Sequence, residues 1–116
     1  MITEEVETYE IKIYVGLRTK YTTLVSELDE AKELLRKEMS RNPNCVTITP
    51  TDFIYYNGEE PGYIIGLINY PRFPRSREEM MTIAKRIAQE HMIYFKQYRV
   101  SIVATDKTIM LTNPRL

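Results

Sequence analysis

The spacing of apolar residues changes several times along this chain, and the order of those changes restricts the fold more than any other feature. From Tyr9 to Leu17 apolar and polar residues alternate, which is typical of a strand with one buried face. A polar connector, residues 18–23, leads to Ser26 and Asp29, a candidate cap pair. From Leu28 to Met39 the apolar residues recur at helical spacing. The chain therefore opens with a strand and a helix.

A second pair of strands follows this helix. Val46 begins a strand that Pro50 is expected to interrupt and that the aromatic run Phe53 to Tyr56 continues. Asn57-Gly58 between strand-forming segments indicates a hairpin. Residues 59–61 lie between that turn and the next apolar run. They predict a loop wider than two residues, with the third strand beginning near Tyr63.

The segment from Gly62 to Glu79, GYIIGLINYPRFPRSREE, joins the third strand to a second helix. Its isoleucines and leucine favour a strand, and its two prolines stiffen the exit from that strand. Ser76 and Glu79 have the spacing of a capping box, which predicts a helix from Arg77 to Gln97. The chain thus passes from a strand to a helix through a short, proline-containing loop.

Two further strands, Val100 to Ala104 and Thr108 to Leu111, complete the order βαββαββ. Both helices must cover the apolar face of one sheet, because each follows a strand and has an apolar stripe. The sequence predicts an α+β, ferredoxin-like two-layer sandwich: βαββαβ plus a C-terminal hairpin strand, on a mainly antiparallel sheet. We expect one domain over residues 1–116, with residues 1–8 flexible.

The charge of the chain argues against several function classes. Its 116 residues carry 16 basic and 16 acidic side chains, so the basic excess typical of nucleic-acid binders is missing. Cys45 is the single cysteine, which excludes an intramolecular disulfide and favours a reducing compartment. The N-terminal residues do not form a signal peptide, and no apolar run is long enough to span a bilayer. We therefore expect a cytoplasmic protein without a membrane partner, and nucleic-acid binding is not favoured.

The residues that usually perform catalysis are sparse. His91 is the only histidine, and it lies on the apolar stripe of the second helix, as a packed residue would. Neighbouring carboxylates such as Glu59 and Glu60 are expected to be solvated, since adjacent side chains point in different directions. The sequence therefore predicts a protein that is not an enzyme, with no catalytic residue, metal site or cofactor.

The strongest candidate site is the loop before the second helix. Arg72, Arg75 and Arg77 lie close in sequence to a helix start capped by Ser76, where backbone N–H groups favour an anion. Neighbouring side chains offer hydrogen bonds and a stacking surface for a base: Asn69, Tyr70 and Phe73. The alternative is a rigid connector whose arginines are solvated or paired to Glu78 and Glu79.

The uncovered face of the sheet is a second candidate surface. Tyr14 lies on that face of strand one, and exposed aromatic surface of this kind often meets another subunit or a ligand. The run Ile13 to Leu17 resembles the strand-one motif of RNA-recognition domains, in which an aromatic at the Tyr14 position stacks a base. The matching motif on strand three is missing. We therefore expect a homo-oligomer, most simply a dimer, rather than an RNA-binding protein.

Longer phrases extend over most of the chain from Ile11 to Leu111, among them KIYVGL near the start and FKQYRVSIVATDKTIML near the end. In these phrases the chain resembles small phage and bacterial proteins, a resemblance that carries over no catalytic or binding residue. Some phage proteins are oligomers that bind cyclic nucleotide immune signals without cleaving them. By analogy of architecture alone, the resemblance suggests such a nucleotide sponge.

These observations give one leading hypothesis and one alternative. The first is a non-enzymatic oligomer that binds a small anionic ligand such as a nucleotide, through the arginine loop and nearby tyrosines, including Tyr14. The alternative is an interaction or structural module whose exposed sheet face meets a protein partner.

Overall fold

The computed structural model describes residues 1–19 and 25–115. Seven elements follow one another in the order expected from the sequence. They are β1 (Glu10–Gly16), α1 (Leu28–Arg41), β2 (Thr47–Tyr55), β3 (Gly58–Ile68), α2 (Arg77–Tyr94), β4 (Arg99–Ala104) and β5 (Thr108–Thr112). The predicted connector over residues 18–23 falls partly outside the described residues.

The strands form one five-stranded antiparallel sheet in the spatial order β2-β3-β1-β4-β5. The first and third strands are neighbours at the centre, and β5 adds to β4 as a hairpin. This arrangement confirms the predicted ferredoxin-like sandwich with an extra C-terminal strand.

The core lies between the two helices and one face of the sheet. The side chains of Ile11, Ile13 and Val15 alternate along β1 and are fully buried. The register places Ile65 of β3 and Ile102 of β4 opposite Ile13, so three strands present apolar residues to the helices at the same level. The opposite side of the sheet carries Lys12 and Tyr14 and has no helix over it within the described residues; we call it the open face. No helix in this part of the chain is long and apolar enough to cross a membrane.

Pro50 does not interrupt the second strand, contrary to the sequence-based expectation. It lies within β2 and pairs with Tyr63 in a continuous ladder from Thr47 to Tyr55. The reason is that β2 is an edge strand, where half of the backbone N–H groups point away from the sheet and a proline is tolerated.

The hairpin between β2 and β3 is also tighter than predicted. Its turn consists of Tyr56 and Asn57, and Asn57 adopts the left-handed conformation (φ 62°) that asparagine tolerates well. Residues 59–61 continue β3 instead of widening the loop, because each pairs with a residue of β2. Since β1 pairs with β3 only from Gly62 onward, the tip of the hairpin projects beyond the central strands.

The helix ends differ from the predicted ones by a few residues. Helix α1 is capped at Glu27 and not at Ser26, because the Glu30 side chain accepts a hydrogen bond from the Glu27 backbone N–H at 2.9 Å. Helix α2 ends at Tyr94 and not at Gln97. The chain reverses just beyond it, with Lys96 in the left-handed region (φ 52°).

A buried carboxylate links the two helices. The Glu38 side chain on α1 is 3% exposed and accepts a hydrogen bond from Arg86 Nε on α2 at 2.7 Å. Arg41 lies 3.5 Å from the same carboxylate and 3.2 Å from Glu90. A buried charge of this kind requires its partners, because an unpaired carboxylate at that depth would be strongly destabilising.

The second buried polar pair joins α2 to the sheet. The Tyr63 hydroxyl and His91 Nδ1 form a 2.5 Å hydrogen bond, and both side chains are fully buried. The Phe95 ring packs against both rings, with centroid distances of 5.8 Å to Tyr63 and 6.0 Å to His91. His91 Nε2 is buried and has no hydrogen-bond partner among the described residues. The prediction that His91 is a packed core residue is confirmed.

This burial predicts a pH dependence of stability. Burial lowers the pKa of His91 from 6.5 to about 4, so the folded protein keeps the ring neutral where the unfolded chain already takes up a proton. The contribution is complete above pH 6.5 and is lost as the pH falls toward 4. The free energy of unfolding should decrease by about 2 kcal/mol between pH 7 and pH 5. Urea titrations at each pH measure it.

The control is the His91→Gln variant, which removes the titrating group. We expect it to be less stable at pH 7 and to show little change in unfolding free energy between pH 7 and pH 5. An equal decrease in both proteins would mean that His91 is not the group responsible.

Candidate functional site

The loop between β3 and α2, residues 69–76, is organised by the side chain of Asn69. Its Nδ2 donates to the Glu7 carbonyl at 2.8 Å, and its Oδ1 accepts from the Arg75 backbone N–H at 3.0 Å. A turn within the loop is closed by the Phe73 N–H and the Tyr70 carbonyl at 2.9 Å. Asn69 therefore shapes this loop by bonding to the protein's own backbone.

Arg77 is paired with carboxylates of the protein. Its Nε donates to Glu7 Oε1 at 2.8 Å, and its Nη1 lies 3.5 Å from Asp106 Oδ2. The guanidinium carbon lies 4.9 Å from the centroid of the Tyr9 ring, and the Tyr9 hydroxyl donates to Asp106 at 2.9 Å. The pKa of Arg77 is raised, first by the hydrogen bond to Glu7. The positive charge of Arg77 is therefore largely neutralised by the protein's own carboxylates.

The other arginines of the loop point to different surroundings. Arg75 Nη2 donates to the Pro43 carbonyl at 3.4 Å, at the C-terminal end of α1. Arg72 is exposed and has no hydrogen bond or ion pair within the described residues. The expectation that the three guanidinium groups meet around one space is therefore not met. The alternative of solvated or paired arginines is met in part, since Arg72 is exposed to solvent, whereas Arg77 pairs with Glu7 and Asp106 and not with Glu78 or Glu79.

The remaining loop residues are partly engaged. Ser76 Oγ accepts from the Glu79 N–H and the Glu79 carboxylate accepts from the Ser76 N–H, both at 3.1 Å, which is the predicted capping box. These bonds are the main reason why the pKa of Glu79 is lowered. Cys45 Sγ donates to the Tyr70 hydroxyl at 3.4 Å, and Phe73 is half exposed. The ligand-binding role of this loop stays a prediction.

A second group of residues gathers on the open face, where the hairpin leaves the sheet. Residues directly opposite each other in an antiparallel pair share a face. The pairs Gly16 with Gly62 and Phe53 with Glu60 therefore join Tyr14 on the open face. The rings of Tyr14 and Phe53 meet edge to face, with centroids 6.5 Å apart. We call these five residues the open-face cluster.

The two glycines provide the space in which the larger side chains lie. A Cβ on Gly62 would collide with the Phe53 ring and would come within 2.5 Å of the Val15 carbonyl oxygen. A Cβ on Gly16 would lie 3.2 Å from Glu60 Oε2 and 2.6 Å from Gln97 Oε1. The glycines are thus required by close approach, as Phe53 and Glu60 extend over bare backbone.

The carboxylate of Glu60 is half-buried and has no hydrogen bond or ion pair in the part of the chain that the structure describes. Its neighbour Gln97 is held firmly, because Gln97 Nε2 donates to the carbonyls of Arg18 at 2.6 Å and Phe95 at 3.0 Å. An open cavity of about 370 Å³ lies at the same end of the sheet, mainly on the side that the helices cover, and of the open-face cluster only Gly62 lines it. It is lined by Leu17, Leu28, Pro50, Thr51, Asp52, Pro61 and Gly62. A carboxylate without a cation, beside aromatic rings, is suited to a positively charged guest.

Sequence reasoning missed Glu60 and Phe53 as site residues. Both were placed in segments of uncertain facing, since Pro50 was expected to break β2 and residues 59–61 to form a loop. A two-residue turn at Tyr56–Asn57 would have paired residue 53 with residue 60. The face on which these two residues lie could have been predicted from the length of that turn.

Among the residues described, no group of three or more His, Cys, Asp or Glu side chains is arranged to hold a metal ion.

Comparison with known proteins gives similarity of structure only. No family model matches the chain, and no curated protein matches it. A phage SAM lyase in its apo state has a TM-score of 0.70 at 16% identity, with 98% of each chain covered. The phage SAM lyase in complex with S-methyl-5'-thioadenosine has the same TM-score at 17% identity, covering 97% of this chain and 95% of that one. A de novo designed protein, Foldit4, has a TM-score of 0.50 at 16% identity.

These similarities establish the fold and correct one prediction. The chain shares its fold over nearly its whole length with a phage enzyme, so the expected resemblance to small phage proteins is confirmed at the level of the fold. The prediction of a protein that is not an enzyme is contradicted by the same finding. That prediction was based on the scarcity of histidine and cysteine, whereas a protein with this fold is a lyase. The predicted homo-oligomer, protein partner and cytoplasmic location stay predictions.

The open-face cluster predicts different costs for two glycine substitutions. Gly62→Ala should destabilise the protein by about 1–3 kcal/mol, because the new methyl group meets the Val15 carbonyl, which cannot move without disturbing the ladder. Gly66→Ala is the matched control on the same strand. Its new methyl group would meet mainly the Thr47 hydroxyl, which can rotate away, so the change should be well under 1 kcal/mol. Urea denaturation measures the unfolding free energy of both variants. Equal losses of stability would contradict the assigned geometry.

Proposed function

We propose that the protein is an enzyme that binds and cleaves a sulfonium nucleoside of the S-adenosylmethionine class at the open-face cluster. The observation that carries the proposal is an unpaired carboxylate beside two aromatic rings on a chain with the fold of a SAM lyase. The carboxylate and the two rings are residues of this chain. The shared fold suggests the class of ligand.

The charge of the cluster suits such a ligand. S-Adenosylmethionine carries a positive sulfonium sulfur, and cations of this type are held by carboxylates and aromatic faces. Glu60 has no cation partner in the described residues, so its charge is available to a guest. Arg77 lies at the start of α2, beyond the opposite end of β3, and its charge is already neutralised by Glu7 and Asp106.

The aromatic side chains suit the nucleoside part. An adenine ring stacks on aromatic side chains at a gain of about 1–3 kcal/mol per base. Tyr14 and Phe53 stand next to each other on the open face, and the Phe53 ring lies over Gly62. In this proposal the rings hold the base and Glu60 holds the sulfonium centre.

The solved complex of the neighbour is consistent with this ligand class. S-Methyl-5'-thioadenosine is the part of S-adenosylmethionine that remains when the bond from sulfur to the amino-acid chain is broken. The electron pair of that bond stays on sulfur, which becomes a neutral thioether, and in the proposed reaction the substrate's own carboxylate oxygen forms the new bond to the released carbon, without water. A site that binds this nucleoside and places a carboxylate next to the sulfur would favour the cationic substrate over the neutral product. This difference supports product release after cleavage.

The proposal predicts unequal effects at two adjacent glutamates. Glu60→Gln should lower the rate of S-methyl-5'-thioadenosine release from S-adenosylmethionine about tenfold to hundredfold, since it removes a charged interaction worth about 1.5–3 kcal/mol. Glu59→Gln is the control: Glu59 is exposed and pairs with Ile54, so it faces the other side of the hairpin. Its rate should change less than twofold, near the spread of surface substitutions. Liquid chromatography of the reaction mixture measures both.

Two results would contradict the proposal. One is wild-type protein that neither binds S-methyl-5'-thioadenosine in calorimetry nor releases it from S-adenosylmethionine. The other is equal activity in Glu60→Gln and Glu59→Gln.

The predicted self-association is proposed to occur at the tip of the hairpin between β2 and β3. Ile54 is 80% exposed and Tyr56 is 92% exposed, and both lie on the part of the hairpin that projects beyond β1. Large exposed apolar side chains on a projecting element favour contact with another chain. An oligomer formed through Ile54 would place a second copy against the same hairpin, on the side opposite Phe53 and Glu60.

Sedimentation tests this part separately. The wild-type protein should sediment as an oligomer at micromolar concentration, and Ile54→Ser should dissociate at concentrations where wild type does not. Ile93→Ser, at a 66% exposed position on α2, should behave as wild type. A monomeric wild-type protein would exclude self-association through the tip.

A further inference from the structure

A groove far from the open-face cluster gathers arginines from three parts of the chain. Arg41 comes from the end of α1, Arg75 from the loop before α2, and Arg86 from the middle of α2. Together with Asn42, Pro43, Asn44 and Ile83 they line a cavity of about 260 Å³. Sequence spacing does not indicate this group, since Arg41 and Arg86 belong to different helices.

The carboxylates near the groove leave one positive charge unmatched. Glu38 and Glu90 neutralise two of the three arginines, because Arg86 bonds to Glu38 and Arg41 bonds to both carboxylates. Arg75 has no ion pair among the described residues, although its charge contributes weakly to the lowered pKa of Glu79. The surplus charge therefore belongs to Arg75.

Hydrogen bonding leaves the same residue unsatisfied. Within the described residues, Arg75 donates one long side-chain bond, from Nη2 to the Pro43 carbonyl at 3.4 Å. Its Nε is shielded from solvent and has no acceptor there. A guanidinium group has five N–H donors, and an unsatisfied buried donor costs about 1–3 kcal/mol. The Nη groups of Arg75 thus have donors to offer and few acceptors within the described residues.

The groove is preorganised by contacts that do not use the ligand. The Asn69 side chain fixes the backbone of Arg75 at 3.0 Å, and buried Glu38 fixes Arg86 at 2.7 Å. Guanidinium groups bind phosphate and carboxylate oxygens with two parallel bonds. The space is sufficient for a phosphate group.

We propose that this groove binds a phosphate group, either free inorganic phosphate or the phosphate of a phosphomonoester, with Arg75 as the principal donor. The site is separate from the open-face cluster and does not depend on the proposed lyase activity. Asn42 and Asn44 also line it.

The test titrates ¹⁵N-labelled full-length protein at constant ionic strength, with chloride as the balancing anion. The two ligands are inorganic phosphate and glycerol 3-phosphate, neither of which contains a base that the open-face cluster would bind. The readout is the arginine Nε–H cross-peak that disappears in Arg75→Gln and so identifies Arg75. In wild type this peak should shift in a saturable manner with at least one of the two ligands.

The variants decide whether Arg75 carries the binding. Backbone shifts near the groove should report an affinity about tenfold or more lower in Arg75→Gln, the loss of one charge-assisted contact. Arg36→Gln is the control, because Arg36 lies on the same helix as Arg41 but does not line the groove. Its affinity should stay within about twofold of wild type. If Arg75→Gln does not fold, Arg75→Lys replaces it, since lysine lacks the planar fork and should also lose most of the affinity.

The outcome also identifies the source of the phosphate. Saturation by both ligands indicates that the phosphate group is sufficient, and saturation by glycerol 3-phosphate alone indicates a phosphomonoester site. Shifts no larger than those with chloride, or equal affinities in Arg75→Gln and wild type, would overturn the proposal.

Discussion

The main-chain pairing of β1 with strands on both of its sides is the interaction on which the rest of the molecule depends. Because β3 and β4 pair with β1 in one register, the apolar residues of all three strands meet α1 and α2 at the same level. A one-residue slip would turn every buried side chain of β1 to the open face. The same register brings Gly16 opposite Gly62, so the core and the open-face cluster are fixed by one set of hydrogen bonds.

Two buried polar pairs then connect the helices to that framework. The Tyr63–His91 bond ties α2 to the sheet, and the Glu38–Arg86 bond ties α1 to α2. Each pair is specific because Tyr63, His91 and Glu38 are buried and would be unsatisfied without their partners. They hold both helices in place, while Arg75 in the loop before α2 is held separately by the Asn69 side chain.

The sequence predicted the element order and the fold class well, because the periodicity of the helices and the central strands is strong. It failed where pairing decides the structure. Pro50 looked like an interruption until its position in an edge strand was known, and Glu60 looked like a loop residue until it paired with Phe53. The arginine loop shows the same limit. Three arginines close in sequence reach different surroundings, and Arg75 meets Arg41 and Arg86 only through tertiary packing. The fold shared with a phage lyase could not be inferred from residue types, since no histidine or cysteine arrangement indicates it.

The outer strand β2 is a poor template for a further strand. An added strand from another molecule would need donors and acceptors in regular alternation along the free side of β2. Pro50 lies near the middle of that strand and supplies no donor. Growth of the sheet into an extended intermolecular ladder is therefore disfavoured at β2, so the long hairpin can expose tyrosines and isoleucine at its tip without offering a continuous edge for aggregation.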